Sequence, residues 1–193
     1  MMISSNQVQL IDNGNLKYMI LTSKNTYLRL AEPSDAEFII SLRTNEKYNK
    51  HLSHTGSDIT AQKKWLELYK QREYKKEEFY FIIENADGTP CGTVRIYDIV
   101  NNSFCWGSWI LNENKKTTTA IESALLIYDF GFNKMHYSRS HFDVRKENEM
   151  VISFHKKMNA HLISEDELNF YFEIFPDDII SIKQKYKKLL QPQ

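Results

Sequence analysis

The chain has 193 residues, 41% of them hydrophobic and 13% aromatic, enough apolar material for one domain with a proper core. Lysine and arginine total 25 against 25 acidic residues, a balance that argues against a protein that lives by wrapping nucleic acid. No apolar run is long enough to span a bilayer, and MMISSNQVQLIDNGN lacks the charged-then-apolar layout of a signal peptide, so a cytoplasmic chain without membrane insertion is expected.

In chain order, VQLIDNG and LKYMILTS are two apolar runs around Asn13-Gly14, a dipeptide suited to a tight hairpin turn. A strand Tyr27–Leu30 leads into Pro33-Ser34-Asp35-Ala36-Glu37, where Ser34 and Glu37 have the spacing of a capping box, and a first helix is predicted from Asp35 to Arg43. After the polar stretch TNEKYNKHLSHTGSD, a second helix is predicted from Thr60 to Glu73, with Trp65, Leu66 and Tyr69 on one face. Three strands follow, FYFIIE (79–84), CGTVRIYDI (91–99) and SFCWGSWIL (103–111), separated by turn residues and expected as an antiparallel meander. Cys91 and Cys105 match no metal spacing and read as buried small residues; no metal is expected.

Beyond Leu111 comes a polar loop without glycine, Asn112 to Thr119. The helix after it places Ile121, Ala124, Leu125, Tyr128 and Phe132 on one stripe. A strand Tyr137–Val144, a helix from Asn148 burying Val151, Phe154 and Met158, and a strand pair, His161–Ile163 with Asn169–Phe175, come next. An amphipathic helix with acidic residues first and lysines last closes the chain, the order the helix dipole favours. Because a helix separates the strand ending at Leu111 from the strand starting at Tyr137, those two can lie parallel, and the C-terminal ends of such strands make a cleft. The plan is α/β (α+β): a mostly antiparallel sheet of about six to seven strands with a central parallel pair, in one domain made of a hairpin extension (1–26), a core (27–175) and a terminal helix (176–193).

This order, with the segments LRLAEPSDAEFIISLRTN, WGSWILNEN, ESALLIYDFGF and FDVRKENEMVISFHKKMNAHLI, resembles the GNAT superfamily of acyl-CoA-dependent N-acyltransferases over residues 27–175. Within it the chain looks most like the bacterial enzymes that acylate the amine of nucleotide-linked (dTDP- or UDP-) amino sugars for surface polysaccharides such as the lipopolysaccharide O-antigen, and next most like ribosomal-protein N-terminal acetyltransferases. The resemblance implies an acetyl-CoA or other short acyl-CoA co-substrate and a small sugar-nucleotide acceptor. It also implies a pantetheine arm lying between two splayed parallel strands, along Trp109, Ile110, Leu111 and Asn112, and a pyrophosphate on Lys115, Lys116, Thr117, Thr118, Thr119 and Ala120. The family writes that loop with glycines that are missing here. Free N–H groups and the positive end of the dipole hold an anion without glycine, and the threonine hydroxyls and two lysines add donors and charge. The competing use is internal: Thr119 and Glu122 have the capping-box spacing and would occupy those N–H groups themselves.

Acyl transfer to an amine needs a neutral amine, a stabilised oxyanion and a proton for the departing thiolate. The oxyanion falls to N–H groups near Ile110 or Leu111. Asn148 matches the family's asparagine at the start of the helix, assigned to both catalysis and CoA binding, and His155 stands seven residues on where a tyrosine often protonates the thiolate; a water is the substitute. Cys105 stands where relatives often have a glutamate base, which leaves His141, Asp143 or a water chain for the proton. His141, Asp143 and Arg145 share one sheet face. For the acceptor, Arg43, Asn45, Tyr48, Asn49, His51 and His54 lie in the segment that covers it in the family, and Trp106 or Trp109 could stack a sugar or base. Being three positions apart, the two tryptophans should face opposite ways. A peptide acceptor and a non-catalytic binding module are the other readings, and the hairpin and terminal helix are candidate surfaces for a homo-oligomer.

Overall fold

The computed structural model describes residues 8–10, 19–50 and 55–190, with Val8–Leu10 and Leu189 described by backbone alone. One sheet runs through the molecule in the order β1-β2-β3-β4-β5-β6-β7-β9-β8. Its strands are β1 (Val8–Leu10), β2 (Met19–Thr22), β3 (Thr26–Leu30), β4 (Phe79–Asn85), β5 (Pro90–Val100), β6 (Ser103–Leu111), β7 (Arg139–Arg145), β8 (His161–Glu165) and β9 (Asn169–Ile174). The expected six to seven strands become nine because the N-terminal hairpin continues the same sheet: β1 pairs antiparallel with β2 and β2 with β3. Its Asn13-Gly14 turn lies outside the described residues.

Alternation along β4 divides the core into two layers. Phe79, Phe81 and Ile83 face α4 (Thr119–Asp129) and α6 (Pro176–Lys185), whereas Tyr80 and Ile82 face α1 (Ala36–Arg43) and α3 (Ile59–Tyr74). In α3, Leu66 and Tyr69 are buried and Trp65 stacks on Tyr69 at 5.8 Å. α4 is buried almost all round rather than on one stripe, because the sheet, α6 and the β2–β3 turn enclose it. It ends in a π-helical turn, Phe130–Lys134, that carries Phe130 edge-on to Phe79 (4.8 Å) and Phe132 to Phe104 (5.5 Å).

Two local expectations shift. The cap before α1 is set two residues earlier, at Glu32, with Asp35 Oδ2 accepting from the Glu32 N–H at 2.8 Å, since Arg29 already holds Asp35 by two bonds of 2.8 Å and fixes its place. α5 (Glu149–Lys157) turns Ile152 and His155 inward, ahead of Val151 and Phe154, while Met158 is buried as expected. The short α2 (Glu46–Asn49) and α7 (Lys187–Leu190) complete the helices. No described helix is long and apolar enough to cross a membrane.

The expected parallel pair is β6 and β7. It has only two registered positions, Ser103 opposite Arg139 and Phe104 opposite Ser140, after which the strands diverge.

Candidate active site

The open side of β6 starts from an irregularity. Arg95 lies opposite Gly107 and Thr93 opposite Ile110, so three steps along β6 match two along β5. The extra residue sits at Ser108, whose φ is 49°, a β-bulge. An extra residue reverses the in-and-out parity beyond it. Trp106 and Trp109, expected on opposite faces, therefore stand together with ring centroids 5.4 Å apart. Neither faces the side covered by α1 and α3: Trp109 donates to Ser123 on α4 at 3.3 Å and meets Phe154 of α5 at 4.9 Å. Trp106, assigned above to the acceptor, is 5% exposed and belongs to the core against α4 and α5.

Past the bulge, the Asn112 N–H donates to the Cys91 carbonyl at 2.9 Å. Because backbone groups alternate along a strand, Ile110 and Asn112 then point to β5, and Trp109 and Leu111 point to the side β7 has left. Of the two amides considered for the oxyanion, Leu111 is the one on the open edge.

The loop continues that edge into α4. The Asn112 side chain accepts from the Asn114 N–H (2.9 Å), and the Thr119 hydroxyl accepts from the Lys116 N–H (2.9 Å). Glu122 does not return to Thr119: it accepts from the backbone N–H of Asn25 (2.8 Å) and from its side-chain amide (3.1 Å), and that amide also donates to Thr118 Oγ1 (3.1 Å). The internal capping box is thus replaced by a clamp from the β2–β3 turn. Among the described residues, no hydrogen bond engages the amides of Thr117, Thr118, Ala120 or Ile121. These are orphan donors of a helix start, and beside Lys115 and Lys116 they form an anion cradle. A groove of about 410 Å³, lined by Asn25, Asn85, Ala86, Asp87, Lys116, Thr117 and Thr118, adjoins them.

Asn148 caps α5, its Oδ1 accepting from the Val151 N–H at 3.4 Å. The seven-residue step brings His155 to the point where β6 and β7 part. Its ring lies 4.2 Å from Phe142 on β7 and 5.4 Å from Trp106 on β6. Only 5% exposed, it is held neutral, burial having pushed its pKa from the ordinary 6.5 down to about 3. A neutral imidazole has no acidic proton to give at neutral pH, so His155 is a poor donor to a thiolate.

On the other face, His141 meets Ser103 Oγ through Nδ1 at 2.6 Å and Asp98 Oδ2 through Nε2 at 3.2 Å. Sequence reasoning passed over Asp98 and Ser103, which the β5–β6 hairpin brings under β7. Asp143 and Arg145 lie on the same face as His141, both exposed. Cys105 and Cys91 are free and buried, with thiol pKa values pushed up to about 12 and about 11 by burial, so neither serves as a base.

In the acceptor segment, Arg43 Nε donates to Thr55 Oγ1 at 2.5 Å. Asn45 caps α2 by accepting from Lys47 N–H at 3.0 Å, and Asn49 ends that helix half-exposed. The Tyr48 hydroxyl donates to Glu113, tying this segment to the loop before α4. His51 and His54 lie outside the described residues. Among the described residues, no group of three histidines, cysteines or carboxylates could hold a metal.

The family model for the acetyltransferase (GNAT) domain matches residues 25–161. Among solved structures, apo FdhC, a nucleotide-linked sugar GNAT, is similar at 47% identity with a TM-score of 0.83, over 90% of this chain and 99% of that one. The ribosomal-protein-S5-alanine acetyltransferase from Vibrio fischeri (16% identity, TM-score 0.70, 82% and 97% of the two chains) shares the fold. So does a dodecameric spermidine N-acetyltransferase from Vibrio cholerae (18%, 0.63, 81% and 97%). A search among curated proteins finds no match.

Proposed function

The chain belongs to the GNAT acetyltransferase family and is an acyl-CoA-dependent N-acetyltransferase; we propose that its acceptor is the amine of a nucleotide-linked amino-deoxysugar, a dTDP- or UDP-sugar destined for surface polysaccharide such as O-antigen. The observation that carries the acceptor class is the 47% identity to a nucleotide-linked sugar GNAT along nearly the full length of both chains. The other similar structures named above, near 17% identity, bear on fold alone.

In this reading the CoA pyrophosphate rests on the amides of Thr117, Thr118, Ala120 and Ile121 under Lys115 and Lys116, and pantetheine runs along the unpaired edge of Trp109 and Leu111. The Leu111 amide polarises the thioester carbonyl and stabilises the oxyanion formed when the sugar amine attacks. Asp143, Arg145 and the Arg43–Asn49 segment border the face from which that amine arrives. His141, held by Ser103 and Asp98, stands level with Cys105, six residues of β6 short of Leu111, so the amine's proton leaves through a chain of waters rather than to His141 directly. Because His155 is neutral, a water protonates the thiolate.

The test is thiol release from acetyl-CoA with a panel of amino-sugar nucleotides and with peptides. Release with a sugar nucleotide alone is the expected result, and release with peptides alone overturns the reading.

A further inference from the structure

The short helix α2 has no buried residue, so packing alone does not hold it in place. Among the described residues, its side chains make one hydrogen bond to another part of the chain: the Tyr48 hydroxyl donates to the Glu113 carboxylate, 65 positions away. That bond is the largest influence on both groups, raising the pKa of Tyr48 and lowering that of Glu113. Lys47 on α2 and Lys115 on the loop add positive charge beside the same carboxylate.

The far end of this tether is rigid. The Asn112 N–H donates to the Cys91 carbonyl at 2.9 Å, and the Asn112 side chain accepts from the Asn114 N–H at 2.9 Å. The Asn85 side chain donates to the Asn114 carbonyl at 3.0 Å. Glu113 is thus fixed between two pinned neighbours, and its Cα lies at most about 7 Å from that of Leu111. Two residues further on, Lys115 opens the anion cradle.

α2 belongs to the segment that borders the incoming amine, whereas Glu113 belongs to the loop that holds the donor. The amine must meet a carbonyl whose oxygen rests on the Leu111 amide, and an error of about 1 Å in that placement costs on the order of 10²-fold in rate. We propose that Tyr48 and Glu113 are positioning residues that lock the acceptor segment to the donor loop, so that a bound donor orders α2 for the acceptor. Charge sets the direction of this coupling. A pyrophosphate arriving on Lys115 draws that ammonium from Glu113 and repels the carboxylate, which then depends on the Tyr48 hydroxyl and Lys47, both on α2. By linkage, whatever the donor adds to acceptor affinity the acceptor adds to donor affinity. The inference rests on the acyl-transfer reading and adds how its two substrate sites communicate.

Hydrogen exchange tests it with CoA alone, before any acceptor is chosen. The amides of Tyr48 and Asn49 donate to the Asn45 carbonyl at 2.9 and 3.1 Å, and their exchange is followed by NMR with and without CoA in wild type, Tyr48→Phe and Glu113→Ala. CoA is expected to slow both amides about threefold or more in wild type and to leave them unchanged in the two variants, while still protecting the amides of Thr117 and Thr118 in all three. With acetyl-CoA and an amino-sugar nucleotide, the KM for the acceptor is expected to rise about fivefold or more in Tyr48→Phe, with the Kd of CoA alone within about twofold of wild type. If CoA leaves α2 unchanged in wild type, slows it equally in the variants, or if the acceptor KM does not move, the proposal is overturned. Slowing that needs Tyr48 and Glu113, with no transfer to any sugar nucleotide, supports the coupling and removes the acceptor assignment instead.

Discussion

Glu122 and Asn25, 97 positions apart, share two hydrogen bonds: the Asn25 backbone N–H at 2.8 Å and its side-chain amide at 3.1 Å both end on the Glu122 carboxylate. Glu122 is fully buried, so this turn satisfies a charge that would otherwise be stranded, and it frees the first amides of α4 from internal capping. Asn25→Asp replaces the donor by a second carboxylate. It is expected to lower unfolding free energy by about 2–4 kcal/mol in urea titration and to weaken CoA binding with it. A variant as stable as wild type would show that Glu122 finds another partner.

Lys116 is exposed and lines the groove beside the free amides. Lys116→Glu puts repulsion in place of attraction at the anion cradle. CoA affinity is expected to drop about tenfold or more, equivalent to roughly 1.4 kcal/mol, with no change in melting temperature. Calorimetry with CoA at two salt concentrations checks it, and wild-type affinity would take the loop out of the site.

Gly92 lies where β5 meets the far side of the pantetheine edge. A Cβ built there would stand 2.1 Å from the Ile110 carbonyl oxygen, a backbone atom that cannot swing aside. Gly92→Ala should cost about 2 kcal/mol or more and raise the KM for acyl-CoA, because β6 must shift where its open edge is used. Equal stability and equal KM would show that the strand yields at no consequence.

His155 ties pH to stability. Its folded pKa, about 3, lies below the ordinary 6.5, so the unfolded chain binds the extra proton between those values. The stabilisation is present above about pH 6.5 and is lost as pH falls, at up to 1.4 kcal/mol per unit. Thermal melts from pH 7 to 5 should fall more steeply for wild type than for His155→Phe; parallel curves would mean that the ring is protonated or solvated in the fold.

Much of this molecule was legible in its residues, for identifiable reasons. Strands and helices were found where apolar period and turn chemistry agreed, as in FYFIIE and in the Asn101-Asn102 turn, whose residues adopt the left-handed φ values of 49° and 59° that asparagine tolerates. The parallel pairing of β6 and β7 followed from the intervening helix alone. What failed were inferences that count residues across an irregularity or assume a residue's surroundings. The Trp106/Trp109 parity rule broke at Ser108, a serine indistinguishable in sequence from any strand residue. Thr119 and Glu122 carried a capping-box spacing, but Asn25 reached Glu122 first. His155 fell at the expected helical step, yet the rings of Phe142 and Trp106 around it decided its charge.

By itself, then, the sequence determined the order of elements and the single mixed sheet with its parallel pair, because these depend on local period and on connection lengths, and its quoted segments carried the family resemblance. The tertiary structure alone decided which amides stay free, which carboxylate leaves them so, and which histidine is neutral, because hydrogen-bond competition and desolvation act between segments that the chain order keeps apart.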